Sequence, residues 1–430
     1  MIPFYNYTNL SKCTIPENLQ MTGKASFSEL RKLTEVTLSD NQKDLSWAFR
    51  GCFSLTTAIC GPRVTNMDLA YDNCTSLKKA ACGPNVTEMH STYDNCVNLT
   101  TPVCGPNVIN MPSAYSKCTK LTTAVCGPNV MNMSNAYSNC TSLTTAVCGP
   151  NVVDMSKAYS NCTSLTTAVC SLNVTDMNNT YMGCKALETA ICGPRVLSMT
   201  NTYANCINLT TAACGAKVMN MTNTYAKCIK LTTAACGAKV SVMDNTYTNC
   251  TSLTTAVCGP SVTAMTNTYK GCTKLTTAAC GPSVNTMRNT YEKCTNLTTA
   301  VCGDNVKVMQ QTYRGCTSLS TAVFGPAVTN MGYAYNGCSN IKGNTYFYSS
   351  NVTNIIGCFQ GRDNSNKLNI YVPVNSQTLN RVQTANTFSL VRAAITWTND
   401  TANNCIYNSS YNIYIYPVED VAAAKAANAD

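Results

Sequence analysis

Met133 to Asp154 reads MSNAYSNCTSLTTAVCGPNVVD, and close variants of these 22 letters recur along most of the chain. Cysteine stands at Cys52 and then at every twenty-second residue to Cys338, fourteen times without a slip. A second series keeps the same period from Cys60 to Cys302, with Phe324 in its next place. Together the two series use 26 of the 29 cysteines. An exact period in this range marks a solenoid, in which one small unit cannot bury its own apolar stripe but a stack of copies can.

Within the unit, Met133, Ala136, Tyr137 and Cys140 fall at i, i+3, i+4 and i+7, the spacing of one face of a short helix or helical turn. Leu143 follows. The run Thr145 to Cys148 is small and β-branched and predicts a strand. Gly149-Pro150-Asn151 is turn chemistry, and Val152 and Met155 return the chain to the core. The columns are uniform. Leucine runs from Leu55 to Leu319 with Ile341 last, methionine from Met67 to Met331, and tyrosine from Tyr71 to Tyr335 after Phe49. Glycine follows the second cysteine everywhere except at Ser171. Many copies of one side chain in one place mean one repeated core environment, not many active sites.

The predicted architecture is an α+β repeat solenoid of about 14 coils over residues 48–341. An N-terminal cap covers 1–47, and a small α+β cap or attachment domain covers 342–430. In the first cap, Ser26-Phe27-Ser28-Glu29 is a capping-box pattern and predicts a short helix before Leu30 and Leu33. In the second, Leu368–Val372, Arg392–Thr398 and Tyr411–Pro417 predict strands, and the alanine-rich Val418–Asn428 predicts a helix.

The string V-T-N-M at Val328–Met331, followed by Tyr335 and Cys338 and then by L-T in most repeats, resembles the BspA-like leucine-rich repeats. The resemblance covers about 290 residues. It implies a leucine-rich-repeat-like solenoid, and a role in adhesion or recognition on bacterial surfaces, in parasites or in phage-encoded proteins. Two departures imply a thinner coil: the repeat is shorter, and the strand carries alanine and cysteine where the family has larger aliphatic residues. The Tyr411–Pro417 ending resembles the tails of repeat proteins carried by gut phages.

Composition narrows the function. Charged residues make up 12% of the chain, against an ordinary ~25%. No run of 18 apolar residues exists, so no membrane span is expected. The opening MIPFYNYTNLSKC lacks a basic region followed by an apolar one, so no signal peptide is expected. His90 is the sole histidine, which leaves no multi-histidine metal set. Cysteines alternating 8 and 14 apart match no zinc pattern. They read as free, buried thiols, with bridges between neighbouring coils left open because stacked strands lie ~4.8 Å apart. Only ten Asp or Glu lie between residues 52 and 341, with no repeated pair for acid–base work. No catalytic residue, metal or cofactor is expected, and the chain reads as a non-enzyme.

Two surfaces are candidates for binding. If Ala146 and Cys148 point inward, Thr145 and Val147 point out, and the same positions build a Thr/Val ladder through Thr101, Val103, Thr123, Val125, Thr167, Val169, Thr255, Val257, Thr299 and Val301. An apolar patch of that length exceeds what monomers usually expose. Charge supplies the second. Residues 195–320 hold eleven Lys or Arg against three Asp or Glu. Lys217, Lys227, Lys230, Lys239, Lys270, Lys274, Arg288, Lys293, Lys307 and Arg314 form a candidate polyanion patch. The expected partner is a cell-surface glycan, polyanion or protein receptor. Nucleic acid is disfavoured, because no aromatic-plus-basic binding motif interleaves with the lysines. The leading expectation is an adhesion or recognition protein on a virion or cell surface. The alternative is a structural subunit, a fibre, decoration or scaffold, whose Thr/Val face packs on another virion subunit or a second copy.

Overall fold

Successive coils meet through two columns of parallel backbone bridges. One passes through Asp154, paired with Asn132 before it and Asp176 after it. The other passes through Thr145, paired with Thr123 and Thr167. Each paired stretch is one residue long, so the strand expected over Thr145–Cys148 is reduced to a bridge at Thr145. A buried tyrosine is the reason. The hydroxyl of Tyr137 donates to the carbonyl of Val125 in the preceding coil (2.6 Å) and accepts its N–H (3.0 Å). Both backbone groups of that residue are spent on a side chain, and pairing stops there. Tyr181 holds Val169, and Tyr313 holds Val301, in the same way.

The expected helical turn also takes another form. Met133, Ala136, Tyr137 and Cys140 all face inward and are fully buried, yet no helix forms. The N–H groups of Ala136, Ser138 and Cys140 donate to carbonyls three residues back. Those of Met133, Asn135, Tyr137 and Asn139 instead donate to Asp154, Ser156, Ala158 and Ser160 in the next coil. An α-helix would spend every such N–H on its own i−4 carbonyl and leave none for stacking. The alternation needs left-handed residues, and Asn135 (φ 58°) and Asn139 (φ 61°) supply them. The same two positions have positive φ in every repeat, from Trp47 to Tyr333 and from Gly51 to Gly337. The second holds only Asn, Gly or Lys. Asn and Gly adopt this conformation at least cost.

The structure, a computed structural model, describes residues 7–21, 27–383 and 397–428, and divides into two compact units, Met1–Val218 and Met219–Asp430. In both, the tyrosines stack ring on ring. Centroids lie 5.3–5.7 Å apart from Tyr71 to Tyr203, and 5.1–5.5 Å apart from Tyr225 to Tyr335. Backbones of neighbouring coils approach closely at the glycine after the second cysteine. A Cβ on Gly149 would stand 2.8 Å from the carbonyl oxygen of Gly127.

In the first unit the stacking continues below the exact period. β1 (Lys12–Thr14) pairs in parallel with β2 (Glu35–Thr37), and the ring of Phe27 stacks on Phe49 at 5.7 Å. The helix expected before Leu33 is absent: Ser26 lies outside the described residues, and Phe27 to Leu33 are turns. Glu29 is left-handed (φ 61°), and its N–H donates to the carbonyl of Arg50.

In the second unit, Asn330 bridges Asn354 after a longer step, and Phe359 stacks on Tyr335. This unit also holds a five-stranded sheet, whose first strand precedes Asn354, built from β3 (Gly343–Tyr346), β4 (Leu368–Pro373), β5 (Thr398–Asp400), β6 (Cys405–Asn408) and β7 (Ile413–Val418), in the order β3-β4-β7-β6-β5. β3, β4 and β7 run parallel and prolong the stacking direction, whereas β6 and β5 reverse it. Leu368, Ile370, Val372, Ile413 and Ile415 form its buried side. β4 and β7 match two expected strands. Residues 392–396 of the third lie outside the described residues. α1 (Gln377–Gln383) was not expected, and α2 (Val421–Ala427) was; Asp420 caps α2 through the N–H groups of Ala422 and Ala423.

Substitutions at two positions test these contacts. Tyr159→Phe strips the buried partner from both backbone groups of Val147, and we expect a loss of about 1–3 kcal/mol in urea unfolding. Asn139→Gly should leave the urea midpoint near wild type, while Asn139→Val should cost ~1–2 kcal/mol because a β-branched residue is forced left-handed.

Candidate functional site

The Gly149-Pro150 turn sends the chain out at Asn151, in at Val152 and out again at Val153. Val152 is fully buried, and Asn151 is exposed. Repetition turns these outward residues into two columns in the first unit. One is Arg63, Asn85, Asn107, Asn129, Asn151, Asn173 and Arg195. The other is Thr65, Thr87, Ile109, Met131, Val153 and Thr175. With Lys43 they line a groove of about 970 Å³.

The asparagine amides are held in one orientation. Asn85 Nδ2 donates to the carbonyl of Pro62 (2.8 Å), Asn107 to Pro84 (2.9 Å), Asn129 to Pro106 (3.0 Å) and Asn151 to Pro128 (3.0 Å). Each Oδ1 is left as an acceptor. At the end of the row, Asn173 Oδ1 accepts Nη1 of Arg195 (3.1 Å). The floor is apolar in the middle, where Ile109 is 38% and Met131 50% exposed. The carboxylates of the adjacent column do not line the groove: Asp154 and Asp176 accept the N–H groups of Ser156 and Asn178. Beside the asparagine row, where Ser171-Leu172 replaces Gly-Pro, lies a second hollow of about 790 Å³. It is lined by Pro150, Leu172, Pro194, Arg195 and Lys217 among others.

The residues singled out in the sequence are placed as follows. Thr101, Thr123, Thr145, Thr167, Thr255 and Thr299 are exposed, while Val103, Val125, Val147, Val169, Val257 and Val301 are half-buried. Ala146 is buried and Cys148 half-buried, so the inward–outward alternation fades after Ala146. The valine backbones held by tyrosine are where it fades. Of the basic residues, Lys217 lies in the first unit and the other nine in the second. Lys270 and Arg314 converge on Glu292, at 2.8 and 3.6 Å. The rest occupy several different repeat positions and form no single stripe.

None of the 29 cysteines is in a disulfide. The first series is buried, and its thiols donate to aromatic-residue carbonyls in the coil before, Cys52 and Cys74 to Phe27 and Phe49 and later ones to tyrosine, as Cys140 does to Tyr115 (3.0 Å). Burial pushes Cys162 and Cys206 up to about 12. Burial also raises the half-buried second series, Cys82 and Cys104 to about 11, against the backbone N–H that favours the thiolate. These are protonated packing groups, unsuited to nucleophilic attack. Among the described residues, no three His, Cys, Asp or Glu side chains stand together as metal ligands, and no helix is long and apolar enough to cross a membrane.

The BspA-type leucine-rich-repeat region model matches residues 3–122, 90–210, 199–298 and 288–414. The chain belongs to this family. No curated protein sequence matches it. Among solved structures, a leucine-rich repeat protein from Bacteroides ovatus shares the fold, with a TM-score of 0.62 at 15% identity over 90% of this chain and 92% of that one. A leucine-rich cell surface protein from Faecalibacterium prausnitzii aligns at a TM-score of 0.38 and 16% identity, over 89% and 91% of the two chains. The family assignment agrees with the V-T-x-M, tyrosine and cysteine columns.

Sequence reasoning passed over the groove. Its signal was present in the recurrent G-P-N-V, with a variable residue after the valine that is Ile109 in one coil and Met131 in another. Read as turn chemistry, that segment gave no hint that its asparagines line up.

Thiol burial has a consequence for pH. In the fold, Cys82 and Cys104 are raised to about 11 and Cys162 and Cys206 to about 12, whereas unfolded thiols release their protons near ~8.5. Above that value the unfolded chain binds fewer protons, so stability falls as pH rises. We expect the urea midpoint to be level between pH 6 and 8 and to drop steadily above about pH 9.

Proposed function

We propose that the chain is a non-enzymatic recognition protein, displayed on a bacterial surface or a virion, which binds an extended partner along the groove of the first unit. The observation that carries this reading is the asparagine row, five amides pinned in one orientation by proline carbonyls. Such a row is preorganised to accept hydrogen bonds over many coils, which suits recognition. Family membership supports the reading, since stacked repeats create long binding surfaces. A second reading, a structural subunit packed through the Thr145–Val147 face, draws on the exposed threonine column alone. The basic residues of the second unit could add a salt-sensitive contribution to cell binding.

The test is a binding assay of the fluorescent full-length chain on a panel of intact bacterial cells at low and high salt. Saturable binding to particular strains, reduced by Asn107→Lys with Asn129→Lys, is the expected result. A chain that binds none of the cells and runs as a defined oligomer overturns recognition in favour of the structural role.

A further inference from the structure

The groove is not uniform along its length, and its gradient of chemistry identifies an occupant. Lys43 and Arg63 stand at one end and Arg195 at the other, with Lys217 beyond it in the adjoining hollow. Between them the floor changes from Thr65 and Thr87 to Ile109, Met131 and Val153, and back to Thr175. The sequence of surfaces is therefore basic, polar, apolar, polar, basic, with amide acceptors along one wall.

Resting on the reading of this groove as the binding surface, we infer that it takes an extended peptide segment with aliphatic side chains at its centre and carboxylates at both ends. Three features select that occupant. A uniformly acidic polymer would meet positive charge only at the two ends and would lay its middle charges on Ile109 and Met131, which expel charge. A neutral glycan would find no aromatic face to stack on, since no Phe, Tyr or Trp lines the groove. A peptide backbone instead offers N–H donors throughout its length to Asn85, Asn107, Asn129 and Asn151, whose Oδ1 atoms face no donor among the described residues. Length agrees as well. Six coil steps from Arg63 to Arg195 span about 29 Å at the ~4.8 Å spacing of stacked strands, which an extended chain covers with roughly nine residues.

The experiment is fluorescence anisotropy with the full chain. The probe is a labelled eleven-residue peptide with a Leu-Thr-Val-Thr-Leu centre, a serine on each side and two glutamates at each end. The comparison probes are the same peptide with lysine ends, the glutamate-ended peptide with a serine-only centre, and oligogalacturonate. We expect the first peptide to bind at least tenfold more tightly than each of the others and to weaken with salt. Arg63→Glu with Arg195→Glu should cost tenfold or more, and Met131→Asp a similar factor. Lys120→Glu, exposed on the first unit and outside the groove lining, should change nothing. Circular dichroism and the urea midpoint report whether each variant is folded, and the probe comparison on the wild-type chain needs no variant. Equal binding of the lysine-ended peptide, preference for oligogalacturonate, or no binding of any probe overturns the inference. A chain that still binds cells after any of those results keeps its recognition role with another occupant. A chain that binds the acidic peptide and no cell keeps the occupant and loses the proposed setting.

Discussion

The rest of the structure depends on how each coil divides its backbone N–H groups. Alternate donors close turns within the coil, and the others reach the next coil, as Asn135 does to Ser156 and Asn139 to Ser160. This division forces left-handed residues at two fixed places per repeat. It also explains the constancy of the period. One added residue would shift every donor past its acceptor and turn the leucine, methionine and tyrosine columns away from the core. Where the step does lengthen, between Asn330 and Asn354, the intervening segment already carries β3, the first strand of the terminal sheet.

What the backbone cannot pair with itself, side chains complete. Tyr137 satisfies both groups of Val125 and Asn151 satisfies Pro128, while Cys140 adds a second hydrogen bond to the Tyr115 carbonyl, which already accepts the N–H of Cys118. In several coils a buried threonine replaces alanine and donates to a methionine carbonyl in the coil before, as Thr180 does to Met155 (2.8 Å). Tyrosine and asparagine thus close backbone groups that a thin coil leaves open, and cysteine and threonine use the second lone pair of carbonyls already paired within their own coil. This accounts for the cysteines without redox or metal chemistry. A thiol is small, apolar and a weak donor, and a buried carbonyl in a narrow core asks for all three.

The groove is a by-product of the same geometry. The asparagine that closes a proline carbonyl must lie along the coil surface, and in doing so it presents its oxygen outward at every step. The residue two places later is free of packing duty, so it can vary between threonine, isoleucine, methionine and valine without disturbing the coil. Structure is carried by the invariant positions and chemistry by the variable ones beside them. The basic residues at Arg63 and Arg195 occupy the asparagine position itself, exchanging the amide for charge where the groove begins and ends.

Much of this was legible in the letters. The period, the buried columns, the solenoid class and two of the terminal strands follow from spacing and residue type, because identical residues at identical intervals meet identical surroundings whatever the coil's exact path. The path itself was not legible. The i, i+3, i+4, i+7 pattern of Met133 to Cys140 is shared by a helix and by a chain of turns, and the choice lay with the neighbouring coil, which competes for the same N–H groups. The strand over Thr145–Cys148 failed for a similar reason, since local propensity knows nothing of a tyrosine hydroxyl arriving from the next repeat. The alignment of asparagines into a groove, and of basic residues at its ends, belongs to the tertiary structure alone. Those residues stand 22 apart in the chain and become neighbours only when the coils stack.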